Sequence, residues 1–298
     1  MNTKMFYDMF EEDQTLAIRL AYIDFKLYYT GMLSRADIVS EFDVSEITAT
    51  RIIAEYKKVR SENMEYDSKE KRFNLKTDCF LPYVDIKVED ALSMLASGFD
   101  KNKILRDRGS ITFEHIITPY PTLSKENVSA ITRAISIRKK IKCIYISINN
   151  CEQKNVERTL IPLIILHDGR NWIFRAYHEE ANGNVKYKNF NFSRVKSIRE
   201  SDEFAMAAHG LIYDDLWNKA VPVELEINHK LSDYRKEEIR RDFGIHGDRI
   251  LMTARAAFVW IILNQSRTFY QDSKSVTADD CQFVLVNEEM LREFGAIN

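Results

Sequence analysis

Arginine side chains recur inside strongly apolar segments of this chain, where they could hold an anion. Arg158 opens one such segment, Arg175 lies within a second and Arg194 ends a third. A guanidinium on a half-buried strand needs an anionic partner, because burying an unpaired charge is costly. The sequence leaves two partners open: an anionic ligand, or a carboxylate of the chain itself. The candidate carboxylates are Glu152, Glu157 and Glu179.

Charge is distributed unevenly around these arginines. The 298 residues carry a net charge of −2. From residue 133 to residue 199, 14 Lys and Arg stand against 5 Asp and Glu, which gives +9, so the remainder sums to −11. A basic middle flanked by acidic ends suggests a segment that meets an anion, although a solvated basic face would show the same balance.

The motifs of common enzymes are absent from the sequence. It has no Gly-rich phosphate loop, no His-Glu-x-x-His and no Gly-x-Ser-x-Gly. His167 and Asp168 come near Ser147 along the chain, but Asp168 is better explained as the turn residue before Gly169. The six histidines show no metal-ligand spacing. We therefore expect no catalytic residue, no metal site and no cofactor, and hence no enzyme.

Composition is that of an ordinary soluble globular protein, with 45% hydrophobic and 30% charged residues. The length favours two to three domains. No segment approaches the roughly 18 apolar residues of a membrane helix, and residues 1–13 lack the apolar core of a signal peptide. Four cysteines without a Cys-x-x-Cys pair predict reduced thiols. We expect a cytoplasmic protein that has no membrane partner.

Helical spacing predicts three helices in the N-terminal region. The first is amphipathic and ends at Gly31. Its apolar face is formed by Leu16, Leu20, Ile23 and Leu27. Ser34 is the expected N-cap of a short second helix, residues 35–42, with Asp37 in capping-box position. After a tight turn, Ser45 caps a longer third helix.

The third helix has two distinct faces. Its expected buried stripe consists of Ala49, Ile52, Ile53, Tyr56 and Val59. Its outer face carries Ile47, Thr50, Arg51 and Lys58. A short helix, a tight turn and a longer helix with a polar, Arg-bearing outer face are typical of a helix-turn-helix.

A basic hairpin follows the third helix. Residues 64–67 and 72–75 predict two short strands around the turn 68–71, in the position of a wing. Residues 51–76 hold 8 Lys and Arg against 5 Asp and Glu, so positive charge gathers where phosphates would be met. Residues 1–76 as a whole are not basic, at 12 against 14, so a purely structural trio of helices stays an alternative.

Period-two alternation predicts short strands in the central block. In the first strand, Ile144, Ile146 and Ile148 share one face, and Cys143, Tyr145 and Ser147 share the other. Residues 160–166 form a continuous apolar run that we expect to be buried. Asp168-Gly169 and Asn182-Gly183 predict hairpin turns, and the last strand covers residues 186–194. Several short strands joined by tight turns suggest a small β-barrel.

The last region begins with helical spacing and then alternates strands with helices. Phe204, Leu211 and Leu216 carry the helical spacing. The predicted strands are 221–227, 249–255 and 281–286, and the predicted helices are 234–243, 256–263 and 288–294. This order indicates a compact α+β module that would suit dimerisation.

The predicted fold class is therefore an α+β multidomain chain with four parts. They are a winged helix-turn-helix domain (1–76), a helical connector (77–132), a small β-barrel (133–200) and a C-terminal α+β module (201–298). The clearest connector helices are 88–99 and 125–137, with Pro119 and Pro121 between them.

The central block resembles a WYL domain, an Sm-like or SH3-like five-stranded barrel. The motifs that carry the resemblance are Tyr145-x-Ser147, Arg158-x-x-x-Pro162, Gly169-Arg-x-Trp172-x-x-Arg175-Ala-Tyr177 and Phe190-x-Phe192-x-Arg194. The N-terminal region resembles the winged helix-turn-helix of such regulators, at Asp24, Gly31, Ser34-Arg35, Phe42, Ser45, Tyr56, Tyr66-Asp67 and Phe73. Residues 222–263 are similar to the WYL C-terminal extension. The layout resembles homodimeric repressors of bacterial anti-phage defence operons of the BREX and CBASS type.

This resemblance implies a DNA-binding homodimer on an inverted-repeat operator, with a nucleotide or nucleic-acid ligand at the WYL barrel. Related repressors usually place one histidine after the proline and another after the tryptophan. Here those positions are Leu163 and Ile173, which predicts a drier pocket or one tuned to a different ligand. Two alternatives remain: an adaptor that binds RNA or single strands, and a ligand-sensing regulator of a partner enzyme.

Two sets of side chains are candidates for these contacts. Aromatic rings can stack on a base and guanidinium groups can bind phosphate, so the ligand set is Tyr145, Ser147, Arg158, Trp172, Arg175 and Arg194. The DNA set is Ser34, Arg35, Ser45, Thr48, Thr50, Arg51, Lys69, Lys71 and Arg72. Arg51 is the expected base reader and the wing lysines the expected phosphate contacts. Ser34 and Ser45 could equally serve only as helix caps.

Overall fold

A computed structural model describes residues 2–105, 121–147, 157–180, 185–271, 279 and 281–297. The chain divides into two compact units, Met1–Met206 and Ala207–Asn298. In the described part, no helix is long and apolar enough to cross a membrane. The predictions for Pro119, Ile148, Glu152 and the Asn182-Gly183 turn lie outside the described residues.

The first unit begins with four helices and a small antiparallel sheet. The elements are α1 (Asn2–Glu12), α2 (Gln14–Thr30), β1 (Met32–Leu33), α3 (Arg35–Phe42), α4 (Glu46–Val59), β2 (Met64–Asp67) and β3 (Arg72–Leu75). The sheet order is β1-β3-β2. The three predicted helices and the hairpin are confirmed. Helix α1 and the two-residue strand β1 were not predicted, and β1 is too short to show any alternation.

Caps explain why these helices begin and end where they do. Gly31 adopts a left-handed φ of 79° and ends α2, and its N–H donates to the carbonyl of Leu27. Ser34 and Asp37 form the predicted capping box at the start of α3. The Ser45 hydroxyl accepts from the Thr48 N–H at the start of α4. The tight spacing of these caps fixes how α3 and α4 follow each other.

Three helices connect this part to a second sheet. They are α5 (Val88–Ser97), α6 (Lys101–Leu105) and α7 (Lys125–Ile137). Helix α5 ends two residues earlier than predicted, because Gly98 has a φ of 99°. The bounds of α7 are confirmed. Helix α7 packs against α2 on one side and against the second sheet on the other.

The second sheet has five antiparallel strands. They are β4 (Lys139–Tyr145), β5 (Glu157–His167), β6 (Trp172–Glu179), β7 (Val185–Asn191) and β8 (Val195–Phe204). Their order is β7-β6-β5-β4-β8, with β7 and β8 at the two edges of the described pairing. The Asp168-Gly169 turn is confirmed between β5 and β6.

Three sequence predictions for this sheet were wrong. Residues 195–204 form a strand, so Phe204 does not begin a helix. The predicted strand 186–194 ends at Asn191, and residues 192–194 form a short 3₁₀ turn. The run 160–166 is buried only as far as Pro162, and residues 163–166 are half-buried. The register between β5 and β6 shifts at Leu163, and pairing resumes at Ile164.

The second unit is an α+β module, as predicted. Its elements are α8 (Asp215–Asn218), β9 (Ala220–Ile227), α9 (Asp233–Phe243), β10 (Arg249–Arg255), α10 (Val259–Gln265), β11 (Thr268–Phe269), β12 (Phe283–Leu285) and α11 (Glu288–Glu293). The sheet order is β10-β9-β12-β11. Gly244 ends α9 with a left-handed φ of 61°. A separate apolar core lies under this sheet.

Candidate nucleic-acid interface and anion site

The outer face of α4 is open to solvent. Ile47 is 68% exposed, and Thr50 and Arg51 are exposed beside it. The opposite stripe is buried as predicted, at Ala49, Ile52, Ile53 and Tyr56, while Val59 is half-buried. In the described part of the chain, no carboxylate forms an ion pair with Arg51. The helix therefore presents an apolar group and a guanidinium together on one accessible face.

The hydroxyl groups predicted to contact DNA are engaged within the protein. Ser34 donates to the Asp37 carboxylate at 2.7 Å, and the Ser45 and Thr48 hydroxyls lie 3.0 Å apart. The Thr50 hydroxyl donates to the carbonyl of Glu46 at 2.9 Å. These contacts fit the capping role of Ser34 and Ser45. They leave backbone N–H groups and the cationic side chains as the main donors of this region.

The basic candidates differ in how accessible they are. Arg35, Lys69 and Lys71 are exposed. Arg72 instead lies along the hairpin, where its Nε donates to Asn74 at 3.2 Å and a terminal nitrogen contacts the Met32 sulfur at 3.1 Å. Lys69 and Lys71 are therefore the wing residues best placed to meet a phosphate.

A buried polar network holds α4 against the rest of the unit. The Tyr56 hydroxyl donates to the Asp24 carboxylate of α2 at 2.7 Å and accepts from the Asn63 side-chain amide at 2.8 Å. Asn63 also donates to the carbonyl of Leu81 at 2.9 Å. Burial raises the pKa of Asp24 to about 6, and the Tyr56 hydrogen bond opposes that rise. The network fixes the angle at which α4 presents its outer face.

The predicted ligand residues do not converge on one pocket. Residues opposite each other on neighbouring strands share a face of the sheet. Arg158 is opposite Cys143, on the face that carries the core side chains Leu160, Phe174 and Phe190. Arg175 follows Phe174 along β6 and therefore points to the other face. There it is 2% exposed and donates to the Asn189 side chain at 2.9 Å.

Tyr145 and Arg158 are the pair that the fold brings together. The Arg158 guanidinium carbon lies 5.2 Å from the centre of the Tyr145 ring and 6.0 Å from that of Phe190. Tyr145 is buried, and its hydroxyl accepts from the Asn191 N–H at 3.1 Å. Its ring therefore packs under the guanidinium and is not open for stacking on a base.

The remaining candidates lie elsewhere on the sheet. Trp172 is near the hairpin turn, where its ring centre lies 4.5 Å from that of His167. Ser147 follows Ile146, whose N–H donates to the carbonyl of Arg194 at 3.0 Å, so Ser147 and Arg194 are backbone neighbours.

The sequence offered three carboxylates as possible ion-pair partners of the strand arginines, and none of those described pairs with Arg158. Glu179 forms an ion pair with Lys140 at 3.1 Å. Glu157 forms no ion pair with any described residue, and Glu152 lies outside the described part. Arg158 is likewise not paired with a carboxylate of the described residues. The Arg158 guanidinium lies over aromatic rings without an ion pair to a described carboxylate. It therefore supports the anionic-ligand alternative better than the carboxylate alternative.

Sequence reasoning missed His178, which lies on the core face with Arg158. His178 is 7% exposed, and its Nδ1 has no hydrogen-bond partner among the described residues. Burial, followed by the positive charges of Lys188 and Arg158, lowers the pKa of His178 to about 4. Lys188 pairs with Glu180 at 2.7 Å. Alternation along β6 could have revealed His178, because residues 174, 176 and 178 share a face.

Arg133 of α7 links the second sheet to α2. One terminal nitrogen donates to the carbonyl of Tyr28 at 2.9 Å, and the other pairs with the Glu200 carboxylate of β8. Its side chain also lies beside Gly31, where an added Cβ would come within 3.5 Å of the Arg133 Cδ. Arg133 therefore contacts both β8 and the end of α2 through one side chain.

No group of three or more His, Cys, Asp or Glu that could hold a metal ion occurs in the described ranges. The described cysteines Cys79, Cys143 and Cys281 form no disulfide with one another. These findings add no site beyond the α4 face and the Arg158 region.

Comparison with known proteins identifies two domains. Residues 15–97 match the winged helix-turn-helix domain of the BrxR transcriptional regulator, and residues 126–200 match the WYL domain. The solved structures that match include the proteasome accessory factor PafBC of Arthrobacter aurescens, at 14% identity, 93% of this chain, 48% of that chain and a TM-score of 0.25. A CRISPR Cas-related protein matches at 12% identity, 57% of this chain, 49% of that chain and a TM-score of 0.30. This chain spans about half the length of both structures, and TM-scores this low do not show a shared overall fold.

Curated relatives match over most of their length. The DNA-binding transcriptional repressor CapW of Pseudomonas aeruginosa is 25% identical over 280 residues, which cover 92% of this chain and 90% of that protein. CapW of Escherichia coli is 26% identical over 253 residues, which cover 83% and 81%. The chain therefore joins a BrxR-type winged helix-turn-helix domain to a WYL domain and is a homologue of the DNA-binding transcriptional repressor CapW.

Proposed function

We propose that this protein is a homodimeric repressor of an anti-phage defence operon that binds an inverted-repeat operator. The observation that carries the proposal is the outer face of α4. It is exposed, it carries Arg51 without an ion pair to any carboxylate of the described residues, and a buried network holds it in place. Recognition helices of helix-turn-helix proteins read the major groove with such a face. The similarity to the DNA-binding transcriptional repressor CapW supports the assignment as a repressor.

The C-terminal module supplies a surface for the second protomer. Strand β10 is at the edge of its sheet in the described pairing, and Leu251 on that strand is 73% exposed. An unpaired strand edge with an apolar side chain suits association with another copy. A twofold dimer would place two α4 helices on the two half-sites of an inverted repeat.

A mobility-shift assay with the DNA upstream of the protein's own operon tests the function, and a footprint on the same DNA gives the size of the site. We expect sequence-specific binding to a dimer-sized site. Tighter binding to single strands or RNA would favour the adaptor alternative. No binding to any nucleic acid would favour a regulator of a partner enzyme.

The wing lysines should act on DNA through phosphate. Replacing both Lys69 and Lys71 by glutamine should weaken binding to all sequences alike. The slope of log affinity against log salt should become shallower by roughly 0.9 for each lost phosphate contact. Filter binding from low to moderate salt measures that slope, with Lys101→Gln, exposed on α6, as the control. A loss confined to the operator sequence would contradict the assignment.

The ligand control of this repressor is proposed to act at Arg158 and its neighbours. Arg158 brings a positive charge that pairs with no described carboxylate, and His178 brings a ring nitrogen that has no hydrogen-bond partner among the described residues. An anionic nucleotide or nucleic-acid end fits this chemistry. The route to the DNA-binding helices is the contact of Arg133 with Glu200 on one side and with Tyr28 on the other.

Ligand binding at this site should depend on Arg158 and on pH. The dinucleoside monophosphate TpT, whose phosphodiester keeps its single charge between pH 7 and 5, should raise the melting temperature of the wild type, and Arg158→Ala should abolish most of that rise. The exposed Arg170→Ala is the matched control. A bound anion raises the pKa of His178 above about 4, so the complex takes up a proton and affinity increases as the pH falls from 7 towards 5. Equal shifts in the wild type and Arg158→Ala, at either pH, would remove Arg158 from the site.

A further inference from the structure

Ile47 is an apolar side chain in solvent at the second position of α4. It is 68% exposed, on the face that turns away from the core. A single exposed apolar residue is common on protein surfaces and needs no explanation by itself. Ile47, however, lies in the first helical turn of α4, the second helix of the helix-turn-helix. The N-terminal residues of a recognition helix are the ones that contact base edges, so the position of Ile47 suggests a role in recognition.

Two other exposed residues on this face, Thr50 and Ala54, are small. The Thr50 hydroxyl is bonded to the carbonyl of Glu46, so the donor hydrogen of Thr50 is not free for a base. Ala54, one turn further along, is exposed and has only a methyl group. The cation at the centre of this surface is Arg51. The face therefore combines one bidentate donor with an apolar surface that allows close approach.

We propose that Ile47 is a specificity-determining residue that contacts the 5-methyl group of a thymine next to the guanine read by Arg51. The inference rests on the proposed function, since it requires α4 in the major groove. The thymine methyl is the apolar group that base pairs present in that groove, and it distinguishes thymine from every other base there. An isoleucine side chain cannot hydrogen-bond, so the methyl group is the base feature that it recognises.

Helix geometry restricts where that thymine lies. Ile47 and Arg51 are four residues apart, which corresponds to about 6 Å along the helix axis at 1.5 Å per residue. Base pairs are stacked about 3.4 Å apart. The two side chains therefore reach base pairs that are one or two steps apart. The operator half-site should contain a thymine within about two base pairs of a guanine, on either strand.

Replacement of single thymines by deoxyuridine, which lacks only the methyl group, tests this inference. The probe is a duplex selected by the full-length protein from a randomised library. Each thymine of one half-site is replaced in turn, and affinity is measured for the wild type and Ile47→Ala. One replacement should weaken wild-type binding roughly three- to fivefold, the size expected for one buried methyl group. The same replacement should leave Ile47→Ala almost unchanged.

The possible outcomes separate this inference from the proposed function. A selected motif in which no deoxyuridine matters, or matters equally for both proteins, overturns the role of Ile47 and leaves DNA binding intact. Failure to select any motif overturns the proposed function and this inference together. Ile146→Ala, which removes an isoleucine that is 57% exposed outside α4, should respond to deoxyuridine as the wild type does. Ile47 is exposed, so Ile47→Ala is expected to fold normally.

Discussion

Replacing Tyr56 by phenylalanine is expected to lower the free energy of unfolding of the Met1–Met206 unit by about 2–3 kcal/mol at pH 7.5. The lost hydroxyl donates to a fully buried carboxylate and also accepts from Asn63. A hydrogen bond to a charged group contributes about 1.5–3 kcal/mol, and its loss leaves Asp24 buried without its shortest donor. Urea unfolding followed by circular dichroism measures the change.

A matched control for Tyr56→Phe is Tyr66→Phe, because Tyr66 is 49% exposed. That variant should change the stability by no more than about 0.5 kcal/mol. The double variant Tyr56→Phe with Asp24→Asn should recover part of the lost free energy of unfolding. It removes the Asp24 charge, which Tyr56→Phe alone leaves buried without its hydrogen bond from Tyr56. If Tyr56→Phe is as stable as Tyr66→Phe, the network does not hold α4.

The pH dependence of stability reports the same network. The pKa of Asp24 is raised from 3.8 to about 6, so its contribution is fully present at low pH and is lost as the pH rises through 6. Relative to Asp24→Asn, the wild type should therefore lose roughly 2 kcal/mol between pH 4.5 and 7.5. The lowered pKa of His178 acts in the opposite direction but equally in both proteins, and it cancels in the difference.

Arg51→Ala is expected to weaken operator binding by roughly 5- to 150-fold, which corresponds to about 1–3 kcal/mol for one bidentate contact with a guanine. Non-specific binding should change little, because it depends on many cationic side chains near the phosphates and Arg51 is only one of them. Titration of the selected operator and of a scrambled duplex, at one salt concentration, gives both affinities. The double variant with Thr50→Ala should bind the operator at least as weakly.

The conservative change Arg51→Lys separates base reading from charge. Lysine keeps the positive charge but lacks the planar fork that matches guanine, so the loss of specificity should persist. Full recovery of operator affinity by Arg51→Lys would show that this position needs only a positive charge and not the planar guanidinium. The exposed Lys87→Ala, outside α4, is the charge control. Tight operator binding by the Arg51 and Thr50 double variant would remove α4 from the interface.

Local rules were enough to predict α2, α3 and α4, although not α1. Ser34, Asp37 and Ser45 mark helix starts by side-chain hydrogen bonds that act within four residues. Alternation and turn residues likewise gave β2 and β3 their observed bounds. What these rules could not provide was the long-range network, because nothing in the sequence joins Asp24 to Tyr56 before α2 and α4 pack.

The sequence could not show which arginines of the central block share a face of the sheet. Arg158 and Arg175 have the same residue type in similar apolar segments, and only the strand register separates them onto opposite faces. The bulge at Leu163 adds a shift that spacing does not show. The Tyr145 side chain is buried in the core. The fold thus keeps Arg158 as an anion candidate and adds His178, whereas the roles of Trp172, Arg175 and Arg194 stay predictions.

One apolar core cluster extends from Phe6 in α1 to Val195 in β8. The winged helix-turn-helix and the WYL sheet are separate domains by sequence, but this shared core couples their unfolding. A molecule that binds the native sheet lowers the free energy of the whole folded unit by mass action, including α3 and α4. The stability of the winged helix-turn-helix and that of the WYL sheet therefore cannot be changed independently, because residues of both belong to one core.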